Sequence, residues 1–491
     1  MLYFPPPRIA GAQRMITARM LIRSLVFASL SLVLMSGRVW AKTNVIFVLT
    51  DDQGHWALDA GGDDDCRSLV TPNLARLARQ GMRFSHAVAC SPVCSASRAT
   101  WLTGRIPSQT GVQDYLRFEE THGARVKSYL QGQPTLSQAL ADQGYTVGLC
   151  GKWHLGDDAQ PQAGFSYWST GPPYGPYRDP LFWKNGKRER RQGYRTDLIG
   201  DDALEFINQN RSNPFCLFLS FYAPHTPLKY QPEKYRAPYR DSTFDCFPDL
   251  PVHPLHMREL NGRVNVTLAN FSNRHSKLSY AALVTGMDHN LGRVLQKLDE
   301  LKLRQETLIV FASDHGYHSG HKGIWGKGNS TLPFNLYERS IRIPLIWSHP
   351  GRIPAGRISP AMVSSYDFLP TLFDYLQLTP PADPARVGRS YQRLLVEGAG
   401  AWEDATFFEY AYVRGVRTQR WKYVERTSQW PSELFDLQQD PEENQNLIDD
   451  PRQAATLAAL RRRLQGFFAR AGAPPLEQWQ TTTSQLLPIY K

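Results

Sequence analysis

Asn44-Val45-Ile46-Phe47-Val48-Leu49-Thr50-Asp51-Asp52-Gln53-Gly54 is a short, continuously apolar run, rich in β-branched residues, that empties into polar residues and a glycine. An unbroken apolar run of this length is covered on both faces, as in a parallel strand, and it delivers its polar residues at the carboxyl end. The pattern recurs. Tyr145 to Cys150 empties into Gly151-Lys152-Trp153-His154-Leu155-Gly156, and Phe215 to Tyr222 into Ala223-Pro224-His225. Leu308-Ile309-Val310-Phe311-Ala312 empties into Ser313-Asp314-His315-Gly316. Helical stretches separate these runs. Thr71-Pro72-Asn73 opens one that ends near Gly81, with Thr71 as cap and Pro72 in the first turn. Others cover Leu136 to Gln143, Thr196 to Asn208, Tyr366 to Leu376 and Lys277 to Leu301. The last places Leu283, Met287, Leu291, Val294, Leu298 and Leu301 on one face. This alternation predicts an α/β fold with a large mixed, mostly parallel sheet sandwiched by helices. In such sheets ligands gather beyond the carboxyl ends of strands. Every polar cluster named above falls at such an end.

From Ala405 the texture changes. Phe407 to Tyr412, Val416 to Thr418, Trp421 to Arg426 and Glu433 to Leu437 are short strands separated by turns, and a helix over Gln453 to Arg470 follows. They predict a smaller C-terminal α+β subdomain with an antiparallel sheet. The expected division is 42–395 for the larger domain and 396–491 for the smaller, within the two or three domains that 491 residues suggest.

Residues 1–41 read as a secretory signal. Arg14, Arg19 and Arg23 precede the apolar run Leu25 to Met35, and Val39-Trp40-Ala41 supplies a cleavage site after Ala41. The three prolines between Met1 and Gln13 make Met15 or Met20 the better start. The apolar run is shorter than the ~20 residues a spanning helix needs, so no stable membrane anchor is expected, and the mature protein is placed in the periplasm or outside the cell. Five arginines lie in the removed part, which has no acids, and their loss takes the formal charge from +11 to +6. That suits an anionic substrate. The densest basic stretch, Lys184 to Arg191, is expected to be a solvated hairpin turning at Asn185-Gly186 rather than a polysaccharide-binding strip. No nucleic-acid motif is present. The six cysteines match neither a zinc site nor a dense disulfide framework, and their pairing is open.

The chemistry starts from Asp51 and Asp52. Adjacent carboxylates at a strand end repel unless a cation sits between them, and Asp314 arrives with His315 at another strand end. Three carboxylates suit a hard divalent cation. Cys94-Ser95-Ala96-Ser97-Arg98-Ala99-Thr100-Trp101-Leu102-Thr103-Gly104-Arg105 then resembles the signature of the sulfatases, where Cys, a short spacer and Arg precede an apolar run and Thr-Gly. That family usually has Pro where this chain has Ala96, a position that helps the maturing enzyme recognise the segment. The resemblance covers nearly the whole mature chain in order. After Asp-Asp-Gln-Gly and the Cys94 segment come Gly-Lys-Trp-His-Leu-Gly, Ala-Pro-His-Thr-Pro, Ser-Asp-His-Gly and Trp325-Gly326-Lys327-Gly328. Leu336 to Pro344 follows, and Glu433-Leu434-Phe435-Asp436-Leu437 with Asp440-Pro441-Glu442-Glu443-Asn444 looks like the sulfatase C-terminal subdomain.

The resemblance implies an alkaline phosphatase-like fold and a sulfuric ester hydrolase. It implies that Cys94 is oxidised to formylglycine by a maturase during export, and that Asp51, Asp52, Asp314 and His315 bind Ca²⁺, with Mg²⁺ as the alternative, together with residue 94. Many sulfatases have Asn at position 315. By the same carry-over, one hydroxyl of the hydrated aldehyde attacks sulfur, and proton loss from the other, to His154, expels sulfate. Arg98 and Lys152 hold the nucleophile. Lys327 and His225 bind sulfate oxygens, and His225 protonates the leaving alcohol. The expected substrate is a sulfated carbohydrate or other sulfate ester. Alternatives are a phosphate mono- or diester hydrolase of the same superfamily, or an inactive binder of sulfated glycans if Cys94 is not converted. His318, His321 and Lys322 are weaker candidates, equally read as surface positions or substrate contacts, and Asp288 is expected on the solvated or packed face of its helix.

Overall fold

The opening apolar run becomes β1 (Asn44–Asp51), the centre of a ten-stranded sheet. The structure is a computed structural model that describes residues 1–5 and 42–478, apart from 63, 124, 125, 258, 261, 262, 265 and 399. The expected signal, residues 1–41, lies almost wholly outside the described residues. From Thr43 the chain forms one compact unit. No helix among the described residues is long and apolar enough to cross a membrane.

The other strands of the sheet are β2 (Met82–Val88), β3 (Thr146–Gly151), β4 (Tyr167–Thr170), β5 (Leu181–Lys184), β6 (Lys187–Arg190), β7 (Phe215–Pro224), β8 (Thr307–Ser313), β9 (Leu345–Ser348) and β10 (Arg357–Ser364). Their spatial order is β10-β2-β9-β8-β1-β7-β3-β4-β5-β6. The pairings β10–β2, β8–β1, β1–β7, β7–β3 and β3–β4 are parallel. Those of β9 with β2 and β8, of β4 with β5 and of β5 with β6 are antiparallel. The sheet is thus mixed, with β8, β1, β7, β3 and β4 forming a continuous parallel block.

Helices of seven residues or more are α1 (Pro72–Arg79), α2 (Cys94–Thr103), α3 (Leu136–Asp142), α4 (Arg195–Gln209), α5 (Arg274–Glu300), α6 (Phe368–Tyr375) and α7 (Ala454–Arg470). They cover both faces, which is why β1 is apolar without alternation. Val45, Phe47 and Leu49 pack with Ala99 and Trp101 of α2 and Phe368 of α6. Ile46 and Val48 pack on the other face with Leu74 of α1, Phe206 of α4 and Leu283, Met287 and Leu291 of α5. Burying one such side chain contributes about 1.5–3 kcal/mol.

The C-terminal strands β11 (Ala405–Tyr410), β12 (Val413–Thr418), β13 (Trp421–Arg426) and β14 (Glu433–Asp436) form an antiparallel meander. Leu460, Leu464 and Phe467 of α7 cover it, with Phe467 stacked 4.0 Å from Phe407.

Three details refine the sequence reading. Asn185 and Gly186, with φ of 47° and 83°, do turn a hairpin between β5 and β6, and β6 is wholly exposed. Lys184 and Arg191 at its ends pair with Asp202. Thr71 does not cap α1 with its side chain; its hydroxyl is engaged by the Asp59 amide instead. Cys66 and Cys246 form a disulfide across 180 residues, while Cys90, Cys94, Cys150 and Cys216 are free and buried.

Candidate active site

The parallel pairing of β1 with β8 aligns Thr50 with Ser313, so both strands stop at the same level. The Asp314 amide donates to the Thr50 carbonyl at 2.9 Å. Asp52 turns out of β1 in the left-handed region, φ 66°, where Asp is among the few side chains tolerated. Together these place Asp51, Asp52, Asp314 and His315 around one point. Cys94 opens α2, and Arg98 follows one turn later on the same face, which is the physical reason for their four-residue spacing. Ala96 sits in the first turn, where an amide has no acceptor within the helix, so a Pro there would forfeit no helical hydrogen bond. At the end of β3, Gly151 (φ 113°) lies where a Cβ would strike the Ser220 carbonyl. That close approach lets the Lys152 amide bond the same carbonyl at 2.7 Å.

The cluster is buried and densely charged. Asp51, Asp314 and His315 are fully buried and Asp52 nearly so. Lys152 Nζ bonds Asp51 Oδ2. Lys327 Nζ bonds Asp52 Oδ1 at 2.7 Å and reaches Cys94 Sγ at 2.8 Å. Arg98 meets Asp314 through Nε at 3.1 Å and Nη2 at 3.0 Å, and its Nη1 donates to Ser220 Oγ at 2.7 Å. Burial raises the Asp51 carboxyl, but Lys152, His225, Arg98 and Lys327 hold it well below the usual range. Burial, then Asp51, pushes the Cys94 thiol up to about 12, so it is a neutral thiol.

The donor set fits a cation. Ligand atoms of Asp51, Cys94, Asp314 and His315 lie within 4.8 Å of one another, as do those of Asp51, Asp52, Cys94 and His225. His315 Nδ1 faces the Gly316 carbonyl at 2.9 Å and must therefore carry the proton, since a carbonyl only accepts. Its Nε2 lone pair then faces Asp314, Asp52 and Asp51 oxygens at 3.4, 3.5 and 4.0 Å. A lone pair and three carboxylates aimed at one another are mutually repulsive unless a cation lies between them, a place that Lys327 Nζ, 3.3 Å from Nε2 and 2.7 Å from Asp52, fills in part.

Beyond this cluster opens a cavity of about 250 Å³ lined by Asp52, Cys94, His225 and Lys327 on its charged floor. Tyr115, Tyr174, Tyr317 and Met257 form its walls, with Thr226 and Asn329 among its polar groups. His225 holds the Thr226 carbonyl through Nδ1 at 2.7 Å, and its Nε2 stands 3.8 Å from Asp52. His154 is fully buried, with Nε2 2.8 Å from the Leu116 carbonyl. Burial, then Lys152, hold its imidazole well below the usual histidine range.

All ten sequence-predicted residues thus gather here, and four weaker candidates do not. His318 and His321 are buried and do not line this cavity: His318 bonds Ser340 Oγ at 3.1 Å and His321 packs on Trp56. Lys322 Nζ ties down the Glu442 and Glu443 carbonyls. Asp288 is buried rather than solvated, and caps α1 from α5. Sequence reasoning missed Ser220 and Tyr174. The only signal for Ser220 was a hydroxyl inside an apolar run, and Tyr174 had none beyond its place in Gly171-Pro172-Pro173-Tyr174-Gly175-Pro176-Tyr177.

Comparison with known proteins follows the same outline. Residues 43–378 match the family model described as Sulfatase, and residues 334–469 match that described as N-sulphoglucosamine sulphohydrolase, C-terminal. An N-acetylglucosamine-6-O-sulfatase of Bacteroides thetaiotaomicron is 27% identical over 489 residues, spanning 83% of this chain and 83% of the relative. A choline-sulfatase of Rhizobium meliloti is 27% identical over 471 residues, spanning 86% of each. A solved structure in complex with its substrate, D-glucosamine-2-N,6-O-disulfate, superposes with a TM-score of 0.74 at 24% identity, covering 88% of this chain and 99% of that one.

Proposed function

This chain belongs to the sulfatase family, alkaline phosphatase-like in fold, and hydrolyses sulfate esters; we propose that its substrate is a sulfated carbohydrate and that Cys94 acts only after oxidation to formylglycine. The observation that carries the reading is the setting of Cys94. A buried neutral thiol, 3.4 Å from both Asp51 and His315 and 2.8 Å from Lys327, is a poor nucleophile as it stands. The same position is well made for a hydroxyl-bearing side chain.

Asp51, Asp52, Asp314 and His315 would hold a divalent cation, Ca²⁺ or Mg²⁺, with residue 94. The cation would supply Lewis acidity beside the nucleophile, and the hydrate that formylglycine forms with water would supply one hydroxyl to attack sulfur and displace the alcohol, and a second whose proton loss would expel sulfate and restore the aldehyde. The chain's own groups do the rest. Arg98 and Lys152 fix the nucleophile from the side of Asp314 and Asp51. Lys327 and His225, at the cavity floor, bind the sulfuryl oxygens where charge builds. With its Nδ1–H held by the Thr226 carbonyl, His225 delivers a proton from Nε2 to the leaving alcohol only as the imidazolium, the form that Asp52 and Asp51 favour against burial. His154 Nδ1, buried and without a hydrogen bond among the described residues, takes the proton from the second hydroxyl. Three carboxylates offset by Arg98, Lys152 and Lys327 sum to zero, so a divalent cation and a departing sulfate dianion also cancel in this buried site.

The carbohydrate reading rests on the cavity and on two relatives. Tyrosine and methionine walls with a few hydrogen-bonding groups suit the apolar face and hydroxyls of a sugar ring. N-acetylglucosamine-6-O-sulfatase and the disulfated-glucosamine complex are named for sugar sulfates. The choline-sulfatase is just as similar, so identity alone does not select the alcohol. Residues 1–41 direct export, a maturase converts Cys94 on the way, and the mature enzyme, divided at about 395/396, works in the periplasm or outside the cell.

Mass spectrometry of the peptide bearing residue 94, from protein made in its own host, is expected to show formylglycine. Paired assays are expected to favour aryl sulfate over aryl phosphate. Active protein with an unmodified thiol, or faster turnover of the phosphate, overturns the reading.

A further inference from the structure

Tyr174 reaches both imidazoles assigned to proton transfer. Its ring is edge-on to His154, with centroids 5.5 Å apart and planes at 86°, and 6.5 Å from His225. The loop that carries it is braced. Tyr177 Oη donates to the His225 carbonyl at 2.9 Å. Tyr222 Oη accepts from the Gly171 amide at 3.1 Å and donates to its carbonyl at 2.6 Å. The buried Arg195 guanidinium stacks 4.2 Å over the Tyr222 ring. Three prolines among seven residues stiffen the loop further.

The Leu116 carbonyl sets a tautomer, and the polar end of Tyr174 reinforces it. A carbonyl oxygen only accepts, so His154 Nε2, 2.8 Å from the Leu116 carbonyl, carries the ring proton. Tyr174 Oη donates to the same carbonyl at 3.0 Å and stands 3.3 Å from Nε2, placed to share that proton as acceptor. Oη, Nε2 and the carbonyl oxygen close a triangle in which each group has its complement. The remaining nitrogen, Nδ1, is buried and has no hydrogen-bond partner among the described residues.

We infer that Tyr174 is a positioning residue: with the Leu116 carbonyl, its hydroxyl holds His154 in the Nε2–H form, which leaves Nδ1 as the proton acceptor, while its ring lines the cavity beside His225 and backs the His154 ring edge-on. The catalytic consequence rests on His154 being the base, as proposed above; the tautomer does not.

Nitrogen-15 NMR of histidine-labelled full-length protein with Cys94 unconverted, His154 being identified by its loss in His154→Asn, reads the tautomer directly. A single neutral Nε2–H form is expected, giving way to a mixture in Tyr174→Phe. In converted enzyme, Tyr174→Phe should lower kcat for an aryl sulfate about three- to tenfold, the range for one lost hydrogen bond, with KM little changed. The same change in a His154→Asn background should have no further effect, because the two residues act as one unit. An Nδ1–H signature in the unsubstituted protein overturns the inference. So does a Tyr174→Phe protein with unaltered signature and rate, or a full kcat loss persisting without His154. The NMR result is independent of conversion at residue 94, so failure of the formylglycine reading and failure of this inference are told apart.

Discussion

The strand-end cluster and the cluster around Glu338 both set carboxylates against Lys and Arg and are both buried, yet their charges are arranged differently. Glu338 takes Arg417 Nη2 and Lys422 Nζ, both at 3.1 Å. Lys422 also bonds the Leu336 carbonyl at 2.8 Å and contacts Glu443, whose Oε2 accepts the Glu338 amide at 2.7 Å. Opposite charges interleave there, and the groups tie β12, β13 and the Glu443 turn to the 336–338 segment. In the strand-end cluster, like groups converge. Lys152, Lys327 and Arg98 each pair one carboxylate, yet all three carboxylates and His315 Nε2 still crowd one space, and His154 Nδ1 has no hydrogen bond among the described residues. Buried charge that interleaves holds structure; buried charge that converges on common space awaits a ligand.

Activity separates the two regions most. Cys94→Ala removes one sulfur from a buried helix start and should leave the melting temperature nearly unchanged. Turnover of aryl sulfate should fall on the order of 10⁴- to 10⁶-fold, as when a nucleophile is removed. Comparable activity in the variant would show that the convergent cluster is not where the chemistry occurs. Lys422→Met tests the other side. It leaves Glu338 and Glu443 without their shared cation, and denaturant titration should show a loss of about 3–5 kcal/mol, with kcat per folded molecule preserved. A variant that kept its stability but lost turnover would make the interleaved cluster functional and break the contrast.

Cation binding sharpens it. Saturating Ca²⁺ should stabilise the chelator-treated protein, by about 3 kcal/mol at a hundredfold excess over Kd. The measurement is the shift in melting temperature, and Asp314→Asn should abolish it while Lys422→Met retains it. An equal response in Asp314→Asn would place the cation elsewhere.

The central strands and their polar ends were legible because two-sided burial leaves an unmistakable apolar run, and chemistry at its end needs charged residues that the core does not. β2 was not legible. Met82-Arg83-Phe84-Ser85-His86-Ala87-Val88 is interrupted by polar residues, and the structure accommodates Arg83 by pairing it with Asp65 at 2.5 Å. Non-local partners were equally hidden. Nothing near Cys66 points to Cys246, nothing near Lys322 to the Glu442 and Glu443 carbonyls, and nothing near Tyr174 to His154. His318 and His321 misled for the reverse reason: proximity in sequence to Asp314 and His315 carried no proximity to the cavity.

Asp288 gives the smallest effect and a boundary case, a buried carboxylate with no cation beside it that is nonetheless structural. Its Oδ1 accepts the Leu74 amide at 2.7 Å, and its Oδ2 accepts the Asn73 amide and side-chain nitrogen at 3.1 and 2.9 Å. Those are orphan donors of the first turn of α1, left open because Thr71 is turned toward Asp59. The positive end of the α1 dipole therefore stands where a cation would otherwise be needed. Asp288→Ala should cost about 1–2 kcal/mol, the range for loss of a helix cap, read by denaturant titration, with the response to Ca²⁺ and kcat unchanged. Because its oxygens meet donors one by one rather than sharing a space with other carboxylates, Asp288 groups with Glu338; a variant that lost Ca²⁺ binding instead would refute convergence as the criterion that separates the two kinds of buried charge.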